Sequence, residues 1–157
     1  MDKAVNISLT IAGAGVQTGY GSGQASPAEL EGILDVTKCL LIDGDSAQRR
    51  RLEQLLSALG LDTALLAAPD DAVRYCNDNS PDVVMVSAET SGVQPRDIVK
   101  RLRRSAHGKP PVVFLYADTP DTGMIGLSIL EGAADVLMTP FDRDILQFKL
   151  KQAGIIA

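Results

Sequence analysis

Histidine and cysteine are scarce in this chain, and their scarcity removes whole classes of chemistry. There is one histidine, His107, and there are two cysteines, Cys39 and Cys76, in 157 residues. Two thiols make neither a disulfide framework nor a zinc site. Cys39 lies in an apolar strand pattern and Cys76 in a helical one, so both read as reduced residues. A basic excess is also missing: 15 Lys and Arg stand against 20 Asp and Glu, for a net charge of −5. That balance disfavours a nucleic-acid partner. The basic clusters Arg49-Arg50-Arg51, Lys100-Arg101 and Arg103-Arg104 read as solvated helix faces. No apolar run approaches bilayer-spanning length and no charged-then-apolar leader opens the chain. Membrane insertion is therefore not expected, and a cytoplasmic location is.

What is present is a regular alternation. Hydrophobic residues make up 45% and charged residues 22%, ordinary for one globular domain with a small appendage. From Lys38 onward strand and helix patterns alternate five times. KCLLI (38–42), DTALLAA (62–68), PDVVMVSAET (81–90), PVVFLYA (111–117) and ADVLM (134–138) read as strands. In the third, Val83, Val84, Met85 and Val86 run on without alternation, as in a strand covered on both faces. The helices are expected over 45–60, 69–78, 95–108, 120–133 and 142–154. Leu52, Leu55, Leu56 and Leu59 form the apolar stripe of the first, which Gly60 ends; Pro69 opens the second. Such alternation predicts an α/β fold, a doubly wound parallel sheet with right-handed crossovers.

Residues 1–37 read as a separate, partly flexible extension. VNISLTI (5–11) alternates as a half-buried strand does, and a glycine-rich stretch follows over 13–23. A single strand needs a sheet edge, in its own domain, a second copy or a partner. Gly13 and Gly15 are not followed by the third glycine and helix of a dinucleotide loop. Ser26, Pro27 and Glu29 match a capping box, which predicts a short helix over about 27–35.

In an open parallel sheet the chemistry lies where the strands end. Those ends carry Asp43-Gly44-Asp45, Ser87 with Glu89 beyond it, Tyr116, and Thr139-Pro140. Ser87 has no base beside it, since His107 closes the third helix and falls at the opposite edge of the sheet. Hydrolysis at Ser87 is accordingly not expected.

The segments LLIDGDSAQRRR, SPDVVMVSAE, PPVVFLYA and EGAADVLMTPFD resemble, in order and spacing, the receiver domain of bacterial response regulators. The resemblance covers about residues 38–153 and implies a flavodoxin-like (βα)5 fold, with residues 38–157 as the receiver-like domain. It also implies two adjacent acids holding magnesium, an aspartate phosphoacceptor, a switch hydroxyl and a lysine before the last proline. Only Asp43 survives that transfer. Gly44 stands at the second acid with Asp45 displaced by one, Ser87 at the acceptor, Tyr116 at the switch hydroxyl, Thr139 at the lysine and Val136 at the switch aromatic. An unassisted serine is a poor nucleophile, and magnesium needs the missing carboxylates.

The expectation is a degenerate receiver, or pseudoreceiver: no enzyme, no cofactor, no metal, and action as an adaptor through protein contacts. The fourth helix is apolar nearly all round, so its surface, with Met124, Ile125, Leu127, Val136 and Phe148, is the candidate face for a signalling or regulatory partner or for a homodimer. Met124 and Leu127 are its expected exposed residues. No output domain is expected after the fifth helix, in a freestanding protein or in a piece of a longer regulator. The rivals are an active phosphoswitch with unusual residues and an arginine-based module for a nucleotide messenger. Residual chemistry would be weak cation binding by Asp43, Asp45 and Glu89, or modification of Ser87 by a kinase.

Overall fold

The computed structural model describes residues 36–157, apart from 93, 106 and 107. The readings made for residues 1–35 and for His107 lie outside the described residues. Strand β1 (Lys38–Ile42) leads into α1 (Ser46–Ala58), and β2 (Asp62–Leu66) into a 3-10 turn (Pro69–Asp71) and α2 (Ala72–Asn79). Then come β3 (Val83–Ser87), α3 (Pro95–Ser105), β4 (Val112–Ala117), α4 (Thr122–Leu130), β5 (Asp135–Met138) and α5 (Arg143–Gln152). All strand pairs are parallel, in the order β2-β1-β3-β4-β5. This is the doubly wound, flavodoxin-like sheet read from the sequence.

Local chemistry explains the element boundaries. Asp45 caps α1 by accepting the N–H groups of Ala47 and Gln48, both at 3.0 Å. Asp121 and Asp142 cap α4 and α5 in the same way, through Met124 and Ile145. Capping at Asp121 starts α4 at Thr122 and the left-handed Gly132 stops it after Leu130, so α4 is shorter than the expected 120–133. Strand β2 ends at Leu66 rather than Ala68, because its pairing with β1 stops at Ile42 opposite Leu66, although Ala68 stays extended before Pro69. That turn is 3-10 before it becomes α-helical, a difference from the continuous helix expected over 69–78.

Alternation along the strands divides the core between the two faces of the sheet. Cys39, Leu41, Met85, Phe114 and Tyr116 point to one face, where Leu52 and Leu56 of α1 and Leu146 and Leu150 of α5 cover them. Leu40, Ile42, Val84, Val86, Val113 and Leu115 point to the other, against Ala72 and Cys76 of α2 and Ile98, Val99 and Leu102 of α3. All of β3 is buried, which explains its unbroken apolar run. Each such Val, Leu or Ile contributes about 1.5–3 kcal/mol relative to exposure. Strands β1 and β3 are neighbours although β2 lies between them in sequence, so the chain reverses its direction of winding there. A crevice therefore opens beyond their carboxyl ends.

Candidate functional site

The crevice is a cavity of about 670 Å³, and it gathers most of the strand-end residues singled out in the sequence. Asp43, Gly44, Asp45, Ser87, Glu89 and Thr139 all line it. Gln48, Arg51, Thr90, Ser91, Asp118 and Pro140 complete the wall. Tyr116 belongs to the same cluster from below. Its register partner on β3 is Ser87, and its side chain is fully buried with its ring edge-on to Phe141, centroids 6.2 Å apart.

Asp43 is the centre of the hydrogen bonding. Its Oδ2 accepts the Tyr116 hydroxyl at 2.6 Å, and its Oδ1 accepts the N–H of Asp45 at 2.8 Å. The carboxylate is buried, so these two bonds replace water around a group that cannot be left bare. Burial, and then the bond to Asp43, raise the Tyr116 hydroxyl far above its ordinary pKa. Tyr116 therefore stays a neutral donor at every physiological pH.

The other acids are occupied elsewhere. Asp45 Oδ1 accepts both capping bonds of α1, and Glu89 Oε2 accepts the N–H of Asp118 at 2.8 Å. Ser87 is buried, and its Oγ accepts the N–H of Glu89 at 3.3 Å. Among the described residues no carboxylate or imidazole is hydrogen-bonded to that hydroxyl, so nothing activates it as a nucleophile. Gly44 donates its N–H to Thr90 Oγ1 at 2.9 Å, and a Cβ on Gly44 would lie 3.3 Å from Thr90 Cγ2. Thr90 was missed in the sequence because no residue-type signal distinguishes it. Arg49, read from the sequence as part of a solvated face, is instead half-buried: it donates to the Asp43 carbonyl oxygen at 2.7 Å and ties α1 to the loop.

This donor set does not fit a magnesium ion of the kind the resemblance implies. Magnesium demands oxygen ligands in a tight octahedron, commonly with one or two free carboxylates. Here both oxygens of Asp43 already accept hydrogen bonds, Gly44 offers no carboxylate, and Asp45 turns into the helix cap. Among the described residues no three His, Cys, Asp or Glu side chains converge to hold a metal.

The candidate partner face is only partly as expected. Leu127 is exposed and so is Phe148, whereas Met124, Ile125 and Val136 are half-buried. Met124 is thus corrected from an exposed position to a partly covered one, because it lies on the side of α4 that approaches α3. The most exposed apolar side chains nearby are Leu130 (82%) and Met138 (64%), neither of them singled out from the sequence. Lys149 Nζ bonds Asp135 Oδ2 at 2.6 Å and fastens α5 to β5 beside this surface.

No family model matches the chain. The DNA-binding response regulator MtrA of Mycolicibacterium paratuberculosis is 31% identical over 104 residues, 66% of this chain and 45% of that protein. The transcriptional regulatory protein AfsQ1 of Streptomyces coelicolor is 25% identical over 112 residues, 71% of this chain and 48% of that protein. The chain therefore spans less than half the length of these curated relatives. Among solved structures, a response-regulator signal receiver domain from Bermanella marisrubri superposes with a TM-score of 0.67 at 20% identity. The match covers 75% of this chain and 98% of that one. With the sheet order, the crevice at the β1–β3 reversal and these relatives in agreement, the chain folds as a receiver domain and is similar in sequence to the receiver part of response regulators.

Proposed function

We propose that this receiver domain is a pseudoreceiver: it signals without being phosphorylated and acts as an adaptor by contact with another protein. The observation that carries the reading is the Tyr116 hydroxyl bonded to Asp43 at the buried floor of the crevice. Tyrosine at the position of the switch hydroxyl fills part of the space and takes up the one surviving acid. Ser87 in place of an aspartate, and Thr139 in place of a lysine, fit the same reading. Removing the acceptor would strand a buried lysine without its partner, and a threonine avoids that cost.

A domain without a phosphoryl switch works through its surface. Leu127, Leu130, Met138 and Phe148 are large apolar side chains left exposed on α4, β5 and α5. A signalling protein or a second copy of this chain is the partner this surface suits. The net charge of −5 weighs against direct nucleic-acid binding by this chain, although MtrA is named as DNA-binding. Among the described residues no helix is long and apolar enough to cross a membrane. Residues 38–157 are the working unit in this reading, and 1–37 an extension to it.

Amide NMR spectra recorded with and without magnesium and beryllofluoride, a mimic of a phosphorylated aspartate, test the proposal. Unchanged signals at Asp43, Ser87 and Thr139 are expected. Saturable shifts that spread from the crevice to α4 would mean that the phosphoswitch still operates.

A further inference from the structure

Asp43 is a buried carboxylate with no cation of its own. It is 1% exposed, and its side chain is held by a neutral hydroxyl and a backbone N–H. Among the described residues it belongs to no ion pair. Buried charges are normally paired, because hydrogen bonds to neutral groups recover only part of the lost hydration. The crevice above it carries the same sign. Asp45, Glu89 and Asp118 line the wall with Asp43, against a single cationic side chain, the exposed Arg51. Asp45 Oδ2 and Glu89 Oε1 accept no hydrogen bond among the described residues, and neither does the Asp118 carboxylate.

Two hydroxyls mark where a ligand sits. Strand alternation places Asp43, Ser87 and Thr139 on the sheet face that carries Leu41, Met85 and Leu137. Ser87 and Thr139 are both more than nine-tenths buried, and both line the crevice. Ser87 Oγ accepts one long bond and donates none among the described residues. The Thr139 hydroxyl makes no hydrogen bond among them, yet its oxygen is not one of the sealed polar atoms. It therefore opens on the cavity that it lines, with its hydrogen bonds unmade. Strands β3 and β5 flank β4, so the two strand ends stand about 10 Å apart at the backbone. Neither short side chain spans that gap, and a donor placed between them meets both.

We propose that the crevice binds a short aliphatic diamine. One ammonium sits between the Ser87 and Thr139 hydroxyls above Asp43, and the other lies at the rim among Asp45, Glu89 and Asp118. A primary ammonium brings three donors and a positive charge to groups that lack both. It does not demand the rigid octahedron for which this donor set is unsuited. A cavity of about 670 Å³ exceeds the needs of one ammonium and separates floor from rim, so the second charge is carried on an alkyl chain. A neutral diol would leave Asp43 uncompensated, and a monoamine would leave the rim acids so. The inference rests on the pseudoreceiver reading, because a crevice holding magnesium and a phosphoryl group would have its acids already neutralised. It gives the silent pocket a small-molecule input.

The test is an amide NMR titration of the full chain with 1,4-diaminobutane, then with n-butylamine and with 1,4-butanediol. Salt at about 150 mM screens unspecific attraction to exposed acids. The diamine should shift Ser87, Glu89, Asp118 and Thr139 saturably, the monoamine should bind about tenfold more weakly, and the diol should not bind. Thr139→Val should weaken the diamine by about fivefold or more. Glu89→Gln, which keeps an acceptor for the Asp118 N–H, and Asp118→Asn, at an exposed position, should do the same. Equal binding of n-butylamine or of the diol overturns the proposal, and so does unchanged affinity in all three variants. Absence of saturable shifts at roughly 20 mM diamine, with magnesium and beryllofluoride also silent, overturns this proposal alone. A saturable response to magnesium and beryllofluoride overturns the pseudoreceiver reading and this proposal with it.

Discussion

The Tyr116 hydroxyl and the Asp43 carboxylate, 73 residues apart in sequence, meet at 2.6 Å in the buried floor of the strand-end crevice. Asp43 follows β1 and Tyr116 lies near the end of β4, with β3 between them. The bond therefore spans the reversal point of the sheet, where a receiver otherwise does its chemistry. It gives a buried carboxylate a neutral donor without a lysine or a metal.

Replacing Tyr116 by phenylalanine isolates that bond. The ring and its edge-on packing against Phe141 remain, while Asp43 keeps only the Asp45 N–H. Leaving a buried acceptor short of a partner costs about 1–3 kcal/mol. Urea denaturation of Tyr116→Phe should show a loss in that range. A loss below about 0.5 kcal/mol would mean that water replaces the hydroxyl at no cost.

Alkaline pH should destabilise the fold well before it ionises the buried groups. Burial raises the Cys39 thiol, pushes the Cys76 thiol up to about 11 from the usual 9.0, and with Asp43 raises Tyr116 above the usual 10.0. In the window above pH 9.0 the unfolded chain releases protons that the folded chain retains. The unfolded state then binds fewer protons, so stability falls as pH rises. These groups contribute their full stabilisation below the unfolded values. Unfolding free energy measured from about pH 7 to about pH 11 should be level at first and then decline. A level curve throughout would show that the thiols and Tyr116 are reached by solvent.

Restoring the acids should not by itself restore a switch. Gly44→Asp, Ser87→Asp and Thr139→Lys together supply the residues of an acceptor site, but Tyr116 still holds Asp43 and Thr90 crowds residue 44. The triple variant should stay silent to magnesium and beryllofluoride by amide NMR. Addition of Tyr116→Thr should produce a saturable response. A response from the triple variant would show that the tyrosine is no obstacle.

Charge placed on the apolar surface should separate association from folding. Leu130 is 82% exposed and Phe148 60%, so Leu130→Glu and Phe148→Glu should change stability by no more than about 0.5 kcal/mol. Each should reduce self-association in sedimentation velocity, or binding to a partner captured on the wild-type chain. Association unaffected by both substitutions would remove this face from the proposed function.

Much of the fold is written locally. A strand covered on both faces must be apolar without alternation, so Val83–Val86 announce a buried parallel strand by composition alone. The stripe of α1 and the proline opening the 69–79 segment are equally short-range signals. The strand-end placement of Asp43, Ser87, Tyr116 and Thr139 was legible for the same reason, because strand ends are fixed by the strands. Boundaries were less so, since Asp121 starts α4 at Thr122 and the 69–79 segment opens as a 3-10 turn before it becomes α-helical.

Tertiary structure decided what those residues do. Asp45 reads as a displaced acid in the sequence but serves as a helix cap, because the turn after β1 aims it at the N–H groups of Ala47 and Gln48. Thr90 gains its place over Gly44 through a loop that no periodicity marks. In α4 the apolar residues run nearly all round, so the sequence carries no phase that says which side faces in. Packing against α3 and β5 set that phase, turning Ser128 inward and Leu130 outward. Sequence alone determined the strands and helices, since each rests on neighbours a few residues apart. The roles of Asp45, Tyr116 and Ser128 depended on surroundings that exist only once the sheet has brought distant strands and helices together.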